Sequence, residues 1–195
     1  MLISGPFALD SLLPIPWKNG GGFTRNVAVE PAEAGMDHFL WRISVAEIRA
    51  SGSFSAFPGV DRTILLWHGA GLTLRSPTWP DHALTTTGEP FVFAGEEDVV
   101  CQLADGPSQD LNLMMRRGAV DASLHVAINA VNLHSYCDEL VILCAEGSLQ
   151  VQLGEHKEYL LECDYFLRVS RLAVSVTLTP RQANTRFAYA SIRYR

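Results

Sequence analysis

Residues 16–26 read PWKNGGGFTRN, and few stretches of the chain place so many ligand-contacting residue types so close together. Consecutive glycines reach φ > 0 without a Cβ clash, so the amides around Gly20 and Gly21 can converge into an anion-holding concavity. Lys18 adds a mobile point charge, and Arg25 a fork that matches a carboxylate. Asn19 can donate and accept, Thr24 adds a hydroxyl, and Trp17 offers an apolar cover. Composition alone favours a plainer reading of the same residues, a flexible turn into a strand TRNVAV with both cations in solvent.

Two more stretches carry comparable chemistry. SGSFSAFPGVDR (51–62) sets Ser53 and Ser55 beside Phe54 and Phe57, a mixture suited to a small organic ligand. Arg62 then opens an apolar strand and could aim its guanidinium inward. Alternatively, the two phenylalanines cap a core, and Asp61 and Arg62 pair at a turn. In DGPSQDLNLMMRRG (105–118), an extended chain places Asp110, Asn112, Met114 and Arg116 on one face and Leu111, Leu113 and Met115 on the other. The polar face then lines a cavity or solvent, Arg116 and Arg117 are solvated, and the stretch links the two halves of the chain.

Metal and nucleophile chemistry find less support. The six histidines, at 38, 68, 82, 125, 134 and 156, are never closer than 9 residues, and a first-row metal wants several convergent ligands. There is no G-x-S-x-G elbow and no cysteine with a placed histidine. GAG (69–71) reads as a hairpin signal, not a dinucleotide fingerprint. The expectation is no metal, no cofactor and no catalytic residue. The four cysteines form no CxxC pair and read as structural, with Cys101, Cys144 and Cys163 in or beside apolar runs.

The elements that must position these residues are strands. FLWRISVAEI (39–48) alternates Phe39, Trp41, Ile43 and Val45 against Arg42, Ser44 and Ala46. Runs at 62–69, 71–76, 90–95, 99–104, 124–131, 139–153, 158–169, 173–180 and 186–195 follow, separated by Gly, Pro, Asp and Asn. ALDSLL (8–13) makes at most a turn or two of helix. The chain also repeats. DRTILLWHGAGLTL (61–74) lies over DELVILCAEGSLQV (138–151) at a shift of 138 − 61 = 77, and FVFAGEED and LLECDYF each place an acidic turn afterwards. Two such halves resemble a pair of cupin barrels, an all-β bicupin. Residues 1–118 are expected to form one barrel and 119–195 the other, packed as one unit with strands exchanged near the termini.

Composition bounds the function. At 48% hydrophobic and 18% charged, with a net charge of 15 − 21 = −6, the chain is globular and acidic. Nucleic acid and anionic membranes are therefore not expected partners, although a local cationic pocket remains open. The start lacks a secretory signal pattern, and no apolar run approaches the roughly 20 residues of a bilayer span, so a cytoplasmic location is expected.

In that order and over residues 16–118, PWKNGGGFTRN, WRISVAEI, SGSFSAFPGVDR and DGPSQDLNLMMRRG resemble the HutD/Ves family. The resemblance implies a bicupin tied to bacterial histidine utilisation, which binds a small acid such as formylglutamate or urocanate in a regulatory role. By motif it carries over Trp17, Lys18, Asn19, Gly20, Gly21, Gly22 and Thr24; Arg42 and Ser44; and Ser53, Phe54, Ser55, Phe57, Pro58, Gly59, Asp61 and Arg62. Asp110, Asn112 and Met114 complete the set. Asn26 stands where the family often has an acid, and Gly95-Glu96 where it has Gly-Asp. The ligand-binding set expected from these is Trp17, Lys18, Asn19, Gly20, Gly21, Thr24, Arg42, Ser53, Phe54, Ser55, Phe57, Arg62, Asn112 and Met114. Lys18 and Arg62 would meet a ligand carboxylate, Asn19 and a serine would hydrogen-bond it, and Trp17 or a phenylalanine would cover it. An enzyme acting on such a metabolite and a partner-binding module are the alternatives. A homodimer paired through strand edges is a further expectation.

Overall fold

The computed structural model describes residues 1–35, 38–85, 89–134 and 136–195. Two compact units divide the chain, one of residues 12–120 and the other of residues 1–11 with 121–195. The chain opens with β1 (Leu2–Ala8) and a short 3-10 turn at Leu9–Ser11, within the ALDSLL stretch expected to make at most a turn or two of helix.

The N-terminal unit, residues 12–120, holds β2 (Ile15–Pro16), β3 (Gly22–Glu30), β4 (Trp41–Ile48), β5 (Gly52–Ser53) and β6 (Val60–Gly69). Next come β7 (Leu72–Ser76), β8 (Trp79–Leu84), β9 (Phe91–Ala94), β10 (Val100–Leu103) and β11 (Ser108–Arg116). They form a six-stranded sheet, β2-β3-β4-β11-β6-β9, and a four-stranded sheet, β5-β10-β7-β8.

In the second unit, β12 (Val120–Ala127), β13 (Val131–Leu133), β14 (Cys137–Glu146) and β15 (Ser148–Leu153) lead to β16 (Lys157–Glu162), β17 (Tyr165–Leu172), β18 (Val176–Pro180) and β19 (Arg186–Tyr194). Its sheets are β1-β17-β14-β19-β12 and β13-β18-β15-β16. No helix among the described residues is long and apolar enough to cross a membrane.

The two units share one plan. β4-β11-β6-β9 has its counterpart in β12-β19-β14-β17, and β5-β10-β7-β8 in β13-β18-β15-β16. This is the all-β bicupin architecture that the repeat implied. The structure corrects the repeat's register, however. Leu66 and Cys144 face their respective cores just before matching irregularities in the β6–β11 and β14–β19 ladders. They are 144 − 66 = 78 apart, whereas the core residues Leu72 and Leu149 after the hairpin are 77 apart. The first hairpin turn is one residue longer. A shift of 77 along the first strand would turn every side chain to the wrong face. Nor do the acidic turns correspond, since FVFAGEED ends β9 while LLECDYF turns from β16 into β17.

The N-terminal core draws on both sheets, with Ile48, Ile64, Leu66 and Phe93 from one and Leu72, Leu74, Leu84 and Cys101 from the other. That fixes the inner face of the six-stranded sheet. Because strand residues alternate, Arg42 and Ser44 of β4, Arg62 of β6, and Asp110, Asn112 and Met114 of β11 share it. Register agrees: Met114 lies opposite both Arg42 and Arg62, Asn112 opposite Ser44 and Ile64, and Asp110 opposite Ala46 and Leu66. β11 is therefore a central strand rather than a linker. The outer face (Trp41, Ile43, Leu65, Trp67, Leu111 and Leu113) is buried as well, so the polar face of this sheet is not its solvent face.

Candidate functional site

The glycine triplet closes the β2–β3 hairpin. Gly20 N–H donates to Trp17 O at 3.0 Å, Trp17 N–H to Gly22 O at 2.9 Å, and Gly21 N–H to Asn19 Oδ1 at 3.0 Å. The amides of Gly20 and Gly21 are thus spent within the turn instead of forming an anion nest. Gly20 sits at φ 71°, a conformation only glycine adopts readily. At Gly22 an added Cβ would stand 2.1 Å from Glu47 O, so close strand packing requires glycine there. Lys18, Asn19 and Gly20 are exposed, and Gly21 is buried. Trp17 leaves the turn inward: its indole Nε1 donates to Thr24 Oγ1 at 2.8 Å, and its ring packs on the same core as Phe54.

Inside the barrel the polar residues gather. Arg42, Ser44, Arg62, Asp110 and Asn112 are all buried, Asp110 to 1% exposure and Arg62 to 6%. Arg42 Nε donates to Asn26 Oδ1 at 2.7 Å. The Arg62 guanidinium lies 5.0, 5.8 and 4.9 Å from the ring centroids of Phe54, Phe57 and Phe93, an aromatic cage that suits a desolvated cation. Three buried atoms here have no hydrogen-bond partner among the described residues: Arg62 Nε, Asp110 Oδ1 and Asn112 Oδ1. A group left this way costs about 1–3 kcal/mol, and such a cluster is what an absent polar ligand would satisfy.

Electrostatics point to an anion. Among the described residues buried here, two guanidinium groups stand against one carboxylate, a formal balance of 2 − 1 = +1. Burial pushes the Asp110 carboxyl up to about 7, although Arg62 and Arg42 pull it down. Burial lowers Arg62 to about 10, with Asp110 opposing and Arg42 adding to the shift. Arg42 is lowered by burial as well, with Asp110 opposing. A buried excess of positive charge is costly unless a counter-charge enters. The same excess disfavours a metal cation, and the set offers one carboxylate and no histidine. His82 and His125 instead stack on Phe91 and Tyr189, at 3.8 and 5.0 Å between ring centroids.

The loop bearing Phe54 and Phe57 is held at both ends. Phe54 N–H donates to Val99 O at 2.8 Å, Phe57 N–H to Gly95 O at 2.7 Å, and Gly95 N–H to Val60 O at 2.7 Å. Ser53 and Ser55 are exposed on it. Asp61 does not pair with Arg62. It accepts from Arg117 Nε at 2.6 Å, and Arg117 also binds Glu96, so Arg117 is exposed, as expected, and ion-paired at the surface. Arg116 Nε donates to Phe39 O at 3.2 Å. Among the cysteines, Cys101 and Cys144 are buried, as their apolar neighbours suggested, whereas Cys163 is exposed; Cys137 is buried as well.

Of the expected ligand set, the structure therefore brings together Arg42, Phe54, Phe57, Arg62, Asn112 and Met114, with Trp17 and Thr24 bonded to each other beside the same core. Lys18, Asn19, Gly20, Ser53 and Ser55 lie on exposed turns, and no described contact joins them to the buried arginines; Gly21, though buried, serves the hairpin. Asp110, Ser44, Asn26 and Phe93 belong to the inner set but were missing from that list. Alternation alone would have supplied Asp110 from Asn112 and Ser44 from Arg42, two residues along each strand.

At the matching described positions the second barrel carries other residues. Its inner residues Leu140, Ile142 and Cys144 face Ser191, Tyr189 and Phe187. At the register positions of Arg62, Asp110 and Asn112 it therefore carries Leu140, Phe187 and Tyr189. Its buried carboxylate, Glu139, is on the opposite face and accepts from Arg168 Nε and Ser170 Oγ, both at 2.8 Å.

The HutD family model matches residues 10–186. A Pseudomonas putida protein described as an uncharacterized 21.2 kDa protein in the hutC 3′ region is 34% identical over 140 residues, 72% of this chain and 73% of that one. Protein Ves of Citrobacter koseri is 40% identical over 112 residues, 57% of each chain. The structure of HutD from Pseudomonas fluorescens SBW25, described as a formate condition, is similar over the full length of both chains, with a TM-score of 0.86 and 29% identity.

Proposed function

The chain belongs to the HutD family, and from that premise we propose that its N-terminal barrel binds a small carboxylate metabolite. One observation carries the reading: Arg62 is buried in an aromatic cage with Nε unpartnered among the described residues, beside a second buried arginine and a single carboxylate. A carboxylate entering there neutralises the excess charge and accepts from Arg62, while Phe54, Phe57 and Met114 contact its apolar part. The ligand class is an acid of histidine breakdown, formylglutamate or urocanate, and the role is regulatory within histidine catabolism. The gene neighbourhood in the name of the P. putida relative supports the pathway, and the formate condition of the P. fluorescens structure is in keeping with a carboxylate.

A thermal-shift titration with urocanate, formylglutamate, histidine, glutamate and formate tests it. Ligand at 100 times its dissociation constant adds about 2.7 kcal/mol of stability. A dose-dependent rise with a pathway acid supports the reading, and no rise with any of them contradicts it.

A second reading, an enzyme acting on the same acid, is favoured by Asp110. A buried carboxyl pushed up to about 7 is poised for general acid–base work near neutral pH. Product formation from the stabilising ligand, lost in Asp110→Asn, would establish it.

A further inference from the structure

Asp110 and Asn112 present two buried oxygens, Oδ1 of each, that accept nothing among the described residues. They stand two residues apart on the inner face of β11, roughly 7 Å along the strand at about 3.3 Å per residue. Met114 continues the row, and Arg42 and Arg62 flank it on the neighbouring strands. The row is polar in a directional sense, with donors to an anion at the arginine end and acceptors at the Asp110 end. A bare carboxylate satisfies only the first. On β6 the inner residues Ile64 and Leu66 offer no donor side chain to the second, and on β4 Ser44 lies opposite Asn112 without closing its open oxygen.

We infer that Asp110 is a specificity residue, selecting among small carboxylates those that also carry an N–H donor at the end remote from the carboxylate. The inference rests on the carboxylate reading above and adds to it the class of ligand. An N–H meeting a buried, otherwise unsatisfied acceptor gains what a ligand lacking it forfeits. Sites built around such acceptors reject the analogue strongly, because the acceptor is then left desolvated and unpaired.

The test uses two probes that differ only at that atom, 3-(2-pyrrolyl)acrylate with a ring N–H and 3-(2-furyl)acrylate with a ring oxygen. Calorimetric titration of the full chain at pH 8 should show the pyrrole acid binding roughly 10- to 100-fold more tightly. Asp110→Leu, with its fold checked by circular dichroism, should erase that ratio while tightening the furan acid, because the carboxylate that opposes the arginines is gone. Should Asp110→Leu fail to fold, Asp110→Ala carries the same comparison. Equal, measurable affinities for the two probes overturn the donor requirement and leave the carboxylate reading standing. Binding of neither probe overturns both. A ratio that survives in folded Asp110→Leu overturns the assignment to Asp110.

Discussion

Arg62 and Asp110 face the same barrel interior from adjacent strands, and each carries a buried atom, Nε on one and Oδ1 on the other, with no hydrogen-bond partner among the described residues. Register sets Arg62 opposite Met114 and Asp110 opposite Leu66, and neither group closes the other's open atom. Leaving a donor and an acceptor both open marks a space arranged for a third group.

The Asp110 carboxyl predicts a pH dependence. Its value in the fold is about 7 against 3.8 ordinarily, so between those values the folded state holds more protons than the unfolded one. Its contribution is fully present below about pH 4 and is lost as pH rises through 7, with a slope of at most about 1.4 kcal/mol per pH unit. The difference in urea-unfolding stability between wild type and Asp110→Asn should therefore shift steadily in the variant's favour from pH 4 to 7. A difference constant across that range would mean that Asp110 titrates normally.

The two glycines of the hairpin should respond differently to alanine. Gly20→Ala meets no atom within 4 Å but must hold φ near 71°, a cost of about 1–2 kcal/mol. Gly22→Ala would put Cβ at 2.1 Å from Glu47 O, forcing β3 and β4 apart at about 3 kcal/mol. Denaturation midpoints of the two variants rank them. Equal losses would contradict the close approach at Gly22.

The aromatic cage predicts a coupling. Arg62 lies 4.9 Å from the Phe93 centroid, and a desolvated contact of this kind contributes about 1–2 kcal/mol. A double-mutant cycle of Arg62→Met and Phe93→Leu should return about 1 kcal/mol of interaction free energy in stability. Additivity within about 0.3 kcal/mol would mean that the cation and ring merely share a space.

Much of this was legible in the residues. Alternation in WRISVAEI and SQDLNLMM correctly grouped Arg42 with Ser44, and Asp110 with Asn112 and Met114, because a strand leaves its side chains only two faces. What alternation could not say is which face is wet. The six-stranded sheet is buried on both sides, so the polar faces of β4 and β11 turned out to line the barrel, and a stretch read as a linker is its central strand. The glycine loop was read for its exposed donors, whereas its amides serve the hairpin and its Trp17 serves the core. Phe93 could not be placed beside Arg62 from the sequence, since only the pairing of β6 with β9 sets them opposite. The repeat located both barrels, yet a one-residue difference in a turn hid which positions correspond and with it the contrast between Arg62 and Leu140.

The central claim is tested most directly by calorimetric titration of wild type and Arg62→Met with whichever of urocanate and formylglutamate stabilises the wild type. Methionine keeps much of the side chain's bulk and removes the buried charge, and circular dichroism establishes that the variant is folded before titration. Losing one charge-assisted contact of about 1.5–3 kcal/mol predicts affinity lower by roughly 10-fold to more than 100-fold. An unchanged dissociation constant in the folded variant would show that the acid binds elsewhere and that the arginine cage is not the site.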